Sequence, residues 1–567
     1  MPRQSKPLRP ILSIFRARKS KHATNQSTSQ PPQTRPLLPE LPPELWVHIF
    51  RFAVSTSSGS YNPLSYPPDT SDEPISFLTF PHSHSHFSQR LQHYYSSMRE
   101  KLILTKVCKA WRKFAQQILY EFIWLSKNIQ ATTLATTLLR QDDIRLPSDI
   151  RTPNLGHFIK HLHIETPTMG RCCPSDLRVI IDRAPCLTVY SDYRSVRRNV
   201  FTSQSRDPWS PSQLFEAVAH PSNSLKRLSW TNYDDGSFLS TLPDQLIHAA
   251  PTLEFLELTY CTADLHNPQT PLPLRDPSTQ LTLPNLTSLK VTLNNATLSV
   301  LAHWHMPKLR NLSIVSADFS YAGQGFADFF KLHGSKLHQL ELGHSSSTIE
   351  EHYLTIPVDP PSTTFATRGI PLAQWCPNLA QFICSADAEW NWQNPDWIAP
   401  HVLLPTHPNL ELIGIRDIDK RLLDDMSFTT TLTNDESPFF MLLSQMETLL
   451  SREAFPSLHY IRDLSPTSDT MRRQLPRPAA LGGGGGGESH SWDILNFWSH
   501  VLERCGNSGV WFEDLKGTNV TQRDLARFEV EARWREEEAR EEERERRRLG
   551  RRLGGRLGRL VSVIGRG

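Results

Sequence analysis

The chain has 567 residues with a formal net charge of +3; 38% of them are hydrophobic, 21% are charged and 44 are prolines. That length sets a prior of roughly three or four domains, or one long repeat array with an added module, and the prolines point to many turns and linkers around an adequate apolar core. The charge balance gives no electrostatic footing for nucleic acid, no apolar run approaches the roughly 20 residues that span a bilayer, the N-terminus has no secretory hydrophobic region, and eight cysteines without a Cys-x-x-Cys pair fit a reducing cytoplasm or nucleus.

Residues 1–36 read as a basic disordered tail, in which Arg3, Lys6, Arg9, Arg16, Arg18, Lys19 and Lys21 all precede the first acidic residue, Glu40. A nuclear-import cluster at Arg16–Lys21 and an Arg/Ser-rich transit peptide are the competing readings, and Pro2, Pro7 and Pro10 weaken the latter.

Residues 37–126 read as a helical module. Leu45, Ile49 and Ala53 fall at i, i+4 and i+8, Trp46 and Phe50 widen that stripe, and Pro42 and Pro43 sit where a helix tolerates proline, at its start. Residues 54–97 are rich in Ser, Pro, Tyr and His, with Pro63, Pro67, Pro68, Pro74 and Pro81, and read as a surface loop inserted between helices. Such a loop costs entropy only logarithmically in its length. Ser97-x-x-Glu100 has the form of a capping box, opening a second helix or two nearly continuous ones. Leu104, Val107, Cys108, Trp111, Ala115, Ile118, Leu119 and Phe122 then share one stripe.

The order Leu41-Pro42-x-Glu44, Ile49, Val107-Cys108-x-x-Trp111-Arg112 and Leu119-Tyr120-Glu121-Phe122-Ile123-Trp124-Leu125 resembles the F-box, particularly that of fungal F-box proteins. The long insertion is its departure from the family pattern. The resemblance implies a three-helix module that docks on a Skp-type adaptor and through it on a cullin ubiquitin ligase. It places Leu41, Pro42, Leu45, Ile49, Val107, Cys108 and Trp111 at the adaptor contact.

Residues 150–465 carry an internal repeat. Pro-x-Leu-x-x-Leu-x-Leu, with conservative substitutions, recurs at Pro251–Leu258, Pro284–Val291 and Pro307–Ile314. It continues at Leu337/Leu340/Leu342, Leu379/Phe382/Cys384, Leu410/Ile413/Ile415 and Leu458/Ile461, with earlier copies at Ile159/Leu162/Ile164 and Leu225/Leu228/Trp230 and a trace at Leu187. One such strand cannot bury its apolar face alone, so successive units stack into a parallel sheet with a continuous core. The pattern resembles the leucine-rich repeat. The fold class expected is therefore α/β: an F-box-like module followed by an irregular leucine-rich-repeat solenoid, with disordered tails. Ser212–His220, Leu239–Ala250 and Leu298–Trp304 are candidate return helices.

Strand alternation sends the third, fifth and seventh positions of each unit to the opposite, concave face. Arg227, Phe255, Glu257, Lys290, Asn311, Gln339, Glu341 and Arg416 are the candidate target contacts there, a mixed row that suits a protein or peptide better than a phosphate backbone.

Residues 466–490, with six consecutive glycines at 482–487, read as a flexible linker. Residues 491–517 read as a closing repeat or cap, which a solenoid needs at its end. Thr521-x-x-Asp524 caps a charged helix over 521–548, laced by the i,i+4 pairs Glu536–Arg540, Glu542–Arg546 and Glu543–Arg547. Residues 549–567 read as an Arg/Gly-rich tail.

His82, His84, His86 and His93 in the insertion, and His161, His163 and Glu165 on one face of an expected strand, lack a full ligand set, so no metal site is assigned. Esterase, zincin, Rossmann and P-loop signatures are absent from the sequence. The function expected is a non-catalytic substrate receptor of an SCF-type cullin–RING ligase, cytoplasmic or nuclear, with an unknown protein substrate on the repeats and no cofactor. Two alternatives remain: a repeat scaffold outside any ligase, and an enzyme whose triad is assembled only in space.

Overall fold

The structure, a computed structural model, describes residues 41–56, 74–79, 87–144, 154–197, 211–220, 224–232, 244, 246–260, 281–291, 295–316, 324–344, 372–386, 404, 406–428, 439–473 and 489–528, with scattered residues on to 544. Both tails, His82, His84, His86, the glycine run and the three expected Glu–Arg pairs lie outside the described residues.

The described residues begin with three helices: α1 (Pro43–Thr56), α2 (Phe87–Val107) and α3 (Lys109–Glu121). The Pro42 carbonyl starts α1 by accepting from the amides of Leu45 (3.0 Å) and Trp46 (3.4 Å). Phe50, Ala115 and Ile118 form the buried centre of the α1–α3 contact, with Trp46, Val47, Leu104, Trp111 and Phe114 packed around it. Two boundaries differ from the sequence reading. α2 begins at Phe87, so Ser97 and Glu100 are interior residues rather than a cap; Arg90 and Tyr94, both buried, tie those added turns to the sheet. The real break is Cys108, whose Sγ accepts from the Trp111 amide (3.4 Å) and caps α3.

Among the described residues the strands form one twelve-stranded parallel sheet whose spatial order is the chain order. They are β1 (Phe122–Leu125), β2 (His161–Glu165), β3 (Val189–Tyr193), β4 (Arg227–Asn232), β5 (Phe255–Tyr260), β6 (Ser288–Val291), β7 (Asn311–Ser316), β8 (Gln339–His344), β9 (Gln381–Ser385), β10 (Leu412–Arg416), β11 (Tyr460–Asp463) and β12 (Trp511–Glu513). Parallel neighbours need a crossover each, and the sequential order is compatible with a solenoid. The sheet therefore starts earlier than the sequence reading put it, in the aromatic and β-branched run directly after α3.

One register position runs unbroken through all the strands: Ile123, Leu162, Tyr190, Leu228, Leu256, Leu289, Leu312, Leu340, Phe382, Ile413, Ile461 and Phe512 are paired in succession. Every one of them lies in the main core. Helices Asn128–Ile144, Pro174–Asp182, Pro211–Val218, Asn295–Ala302, Gln324–His333, Phe440–Leu449 and Ser489–Asn507 close that core from the same side, through residues such as Leu138, Ile180, Phe215, Leu301, Phe330, Met446 and Trp498. Of the expected return helices, the first and third are present as Pro211–Val218 and Asn295–Ala302. Of the second, Asp244 and Leu246 are helical and residues 247–250 form a turn.

The turn before several strands is stitched to the preceding unit. The Asn285 side-chain amide donates to the Pro251 carbonyl (2.7 Å), Asn409 to Pro377 (2.9 Å), and the Ser457 hydroxyl to Pro408 (2.7 Å). So the residue after the recurring proline is a rung between units. The expected linker also begins as structure: Ser468–Arg473 is helical, and Arg472 pairs with the buried Asp463 (2.8 Å) and lies 4.6 Å over the Trp498 ring.

Two buried histidines bridge units in a single tautomer. His333 donates from Nε2 to the Ala302 carbonyl (3.0 Å) and accepts at Nδ1 from Lys336 Nζ (3.0 Å). His407 donates from Nε2 to the Cys376 carbonyl (3.0 Å) and accepts at Nδ1 from the Asn409 amide (3.2 Å). Burial lowers both pKa values, His333 to about 4. The unfolded chain binds these protons near pH 6.5 and the folded chain resists them, so stability is intact above about pH 6.5 and falls as pH drops toward 4. The His333 shift alone corresponds to about 3 kcal/mol. Thermal melts followed by circular dichroism at pH 7.5 and 4.5 should show a large drop in Tm, and His333→Gln should shrink it.

Candidate functional site

The sheet face opposite the main core is built from the third, fifth and seventh strand positions. Its fifth-position row reads Trp124, His163, Ser191, Ser229, Glu257, Lys290, Ser313, Glu341, Ile383, Gly414, Arg462 and Glu513. The candidate target contacts all lie on this face, as alternation requires. Their expected accessibility is overturned: Phe255, Glu257, Lys290, Asn311, Gln339, Glu341 and Arg416 are buried and Arg227 is half-buried. The cause is the insertion, which does not extend into solvent in its described parts but lies across the sheet.

Toward the N-terminal edge the cover is the first half of α2. Arg90 forks onto Glu165 with both contacts at 2.7 Å and sits 5.4 Å over the Trp124 ring. Tyr94 accepts at its hydroxyl from the Trp124 amide (3.2 Å), and burial pushes its pKa up to about 12. His163 stands between the rings of Trp124 (4.8 Å) and Tyr193 (5.4 Å). Its Nε2 lies 3.2 Å from Glu165, a carboxylate that only accepts, so Nδ1 accepts from the Ser191 hydroxyl at 2.7 Å. This serine–histidine–glutamate chain has the connectivity of a hydrolytic triad. However, Ser191 is 1% exposed, Glu165 is held by Arg90, and burial lowers the imidazole pKa. The arrangement fixes α2 to the sheet. Among the described residues no group of three His, Cys, Asp or Glu side chains is placed to hold a metal ion.

Over β6 to β10 the cover is the segment 74–79. The Ile75 carbonyl accepts from the Ser288 hydroxyl (3.0 Å) and the Asn311 side-chain amide (2.8 Å). The Phe77 amide donates to Gln339 Oε1 (2.6 Å), Gln339 Nε2 donates to the Ser76 hydroxyl (2.9 Å), and Arg416 donates to the Phe77 carbonyl (2.6 Å). The segment thus crosses the strands, read at its main chain by side chains from four of them. Phe77 (0% exposed) and Leu78 enter a second apolar cluster with Phe255, Ile383, Leu412 and Leu464, separated from the main core by the sheet itself. Gly414 makes the seat: a Cβ there would stand 2.8 Å from Leu464 Cδ1 and 3.0 Å from Leu78 Cδ2.

The charges under this cover are paired. Lys290 meets Glu257 at 2.9 Å on the neighbouring strand, and Tyr193 donates to the same carboxylate at 3.4 Å. Arg416 pairs with Glu341, which also accepts from the Ser313 hydroxyl at 2.5 Å. Arg462 pairs with Glu513 at 2.6 Å.

The seven residues expected at the adaptor contact divide. Leu41, Pro42, Leu45, Ile49 and Val107 are exposed, whereas Trp111 packs on Phe50 (4.7 Å) and Trp46 (5.8 Å) and Cys108 caps α3. The sequence reading missed Phe52, 71% exposed, together with Leu102 and Ile103. Phe52 lies seven residues from Leu45 and extends the same helical stripe, a spacing visible in the sequence. It also missed Ile75, Phe77 and Leu78, whose signal was a dense apolar run inside an otherwise polar insertion. No protein-family model matches the chain, and no curated protein matches it.

Two substitutions test the seating of 74–79. Gly414→Ala should destabilise by about 1–3 kcal/mol through overpacking. Arg416→Ala, which strands a buried Glu341, should cost about 3–5 kcal/mol. Both are read from urea denaturation midpoints.

Proposed function

We propose that the chain is a substrate-receptor subunit of an SCF-type cullin–RING ubiquitin ligase, an F-box module joined to a leucine-rich-repeat solenoid. The observation that carries the reading is the solvent-exposed apolar stripe on α1. Leu45, Ile49 and Phe52 repeat at helical spacing and remain exposed, Ile49 at 44% and Phe52 at 71%, next to Leu41 and Pro42. Leu102, Ile103 and Val107 add exposed apolar side chains at the end of α2. Large apolar side chains held in solvent at regular spacing mark a docking face, and Leu41, Leu45, Ile49 and Val107 among them are residues through which the F-box resemblance places an adaptor. The described part of the insertion lies against β6 to β10 and leaves the α1 stripe exposed.

The module is fixed to the sheet. α3 runs into β1, Arg51 pairs with Glu121 at 2.6 Å, and Lys160 meets the same carboxylate at 3.3 Å. A target held on the repeats would keep a defined distance from the adaptor. The contribution to ubiquitin transfer is then effective concentration and orientation, not bond chemistry.

Affinity purification of the tagged chain with a Skp-type adaptor and cullin, followed by mass spectrometry, tests the reading. The unmodified chain should recover both. Leu45→Asp with Ile49→Asp should reduce recovery at least tenfold without lowering Tm, because neither side chain belongs to the buried centre. Undiminished recovery, or none from the unmodified chain, counts against the proposal.

A further inference from the structure

The segment 74–79 occupies the face on which a target would be expected, and it does so as a ligand does. Its main-chain atoms at 75 and 77 are held by Ser288, Asn311, Gln339 and Arg416, one residue from each of β6, β7, β8 and β10. Contacts to main-chain atoms recognise an extended peptide whatever its sequence, and pockets for particular side chains supply the choice. Here the pockets take Ile75, Phe77 and Leu78, with Leu78 over the missing side chain of Gly414. The aliphatic and aromatic side chains that build the repeat core lie on the other side of the sheet, in a separate apolar cluster. Removing the segment would open the second cluster without touching the register row from Ile123 to Phe512.

We propose that 74–79 is an internal pseudo-ligand and that the row Ser288–Asn311–Gln339–Arg416, with the Gly414 seat, is a binding site for an extended peptide of a partner protein. The partner segment carries an aliphatic residue, one spacer, then an aromatic residue followed by leucine, the spacing of Ile75-Ser76-Phe77-Leu78. It enters by displacing the chain's own copy. A tethered occupant competes at an effective concentration on the order of millimolar, so the resting molecule is closed to weak ligands and opens to a segment that fits better or is itself held nearby. The proposal rests on the reading of the repeats as the target-holding part, but it needs no adaptor. Failed adaptor recovery leaves it standing, and a failed peptide assay leaves adaptor docking standing.

The test uses the full chain and a fluorescein-labelled synthetic peptide, Glu-Pro-Ile-Ser-Phe-Leu-Thr-Phe, followed by fluorescence anisotropy. Phe77→Asp with Leu78→Asp expels the internal segment, and a second variant replaces 74–79 by a Gly/Ser stretch of equal length. Both should bind the peptide saturably and at least tenfold more tightly than the unmodified chain. A peptide with Asp at its Phe and Leu positions should not bind, and adding Arg416→Ala to either variant should weaken binding at least tenfold. Equal binding by the unmodified and opened chains, no binding by an opened chain with native circular dichroism, or indifference to Arg416→Ala overturns the proposal. Loss of the fold in both opened variants also overturns it, because the segment would then be core and not an exchangeable occupant.

Discussion

A single strand of this chain has an apolar side it cannot cover, and the only surface of the right shape is the same side of the next unit. The row from Ile123 to Phe512 is that constraint met in every strand. It forces a common register, and a common register puts the third, fifth and seventh positions of every strand in line on the other face. Everything that distinguishes this molecule is then a matter of what is done with that second face. The rungs from Asn285, Asn409 and Ser457 and the paired histidine bridges reinforce the same stacking from the turns. The histidines satisfy the carbonyls of the buried Ala302 and Cys376, which irregular connections would otherwise leave without donors.

Parallel sheets are ordinarily covered on both faces. Return helices supply one cover here, and the insertion within the helical module supplies much of the other. The result is a face with unusually demanding chemistry. Glu165, Glu257, Glu341 and Glu513 are each matched by a cation, Arg90, Lys290, Arg416 and Arg462. Buried pairs of this kind contribute little net stability relative to apolar packing, but removing one partner is costly. Such a face specifies its occupant more sharply than it strengthens the fold. The same logic explains why the Ser191–His163–Glu165 chain is structural: each polar atom is committed to a neighbour, and aromatic rings flank the imidazole.

The strands were legible because burial on one side imposes a period, and the units around Leu253, Leu286 and Leu309 declare it without interruption. β1 was hidden because Phe122–Leu125 continues an apolar helical stripe, and only pairing with β2 decides between helix and strand. The start of α2 was hidden for a related reason: Arg90 and Tyr94 read as polar loop residues until the sheet offers Glu165 and Trp124. Alternation correctly placed the eight candidate contacts on one face. It had no bearing on their exposure, which for Phe255, Asn311, Gln339 and Arg416 depends on a segment far away in sequence. In the N-terminal helices, residue identity did not separate Trp111, which packs inward, from Leu45 and Ile49, which do not. That division comes from the crossing of α1 and α3.

The contacts of 74–79 join residues 262 and 339 positions apart. A ribosome completes the segment long before it completes the strands that receive it. At about 5–20 residues per second, Arg416 follows Phe77 by roughly 20 to 70 seconds. During synthesis the segment is therefore made long before its seat, which is complete only once β10 has joined β9. Any protein that acts on the nascent chain meets Ile75, Phe77 and Leu78 before the strands that bury them exist, and seating the segment is a late step of maturation.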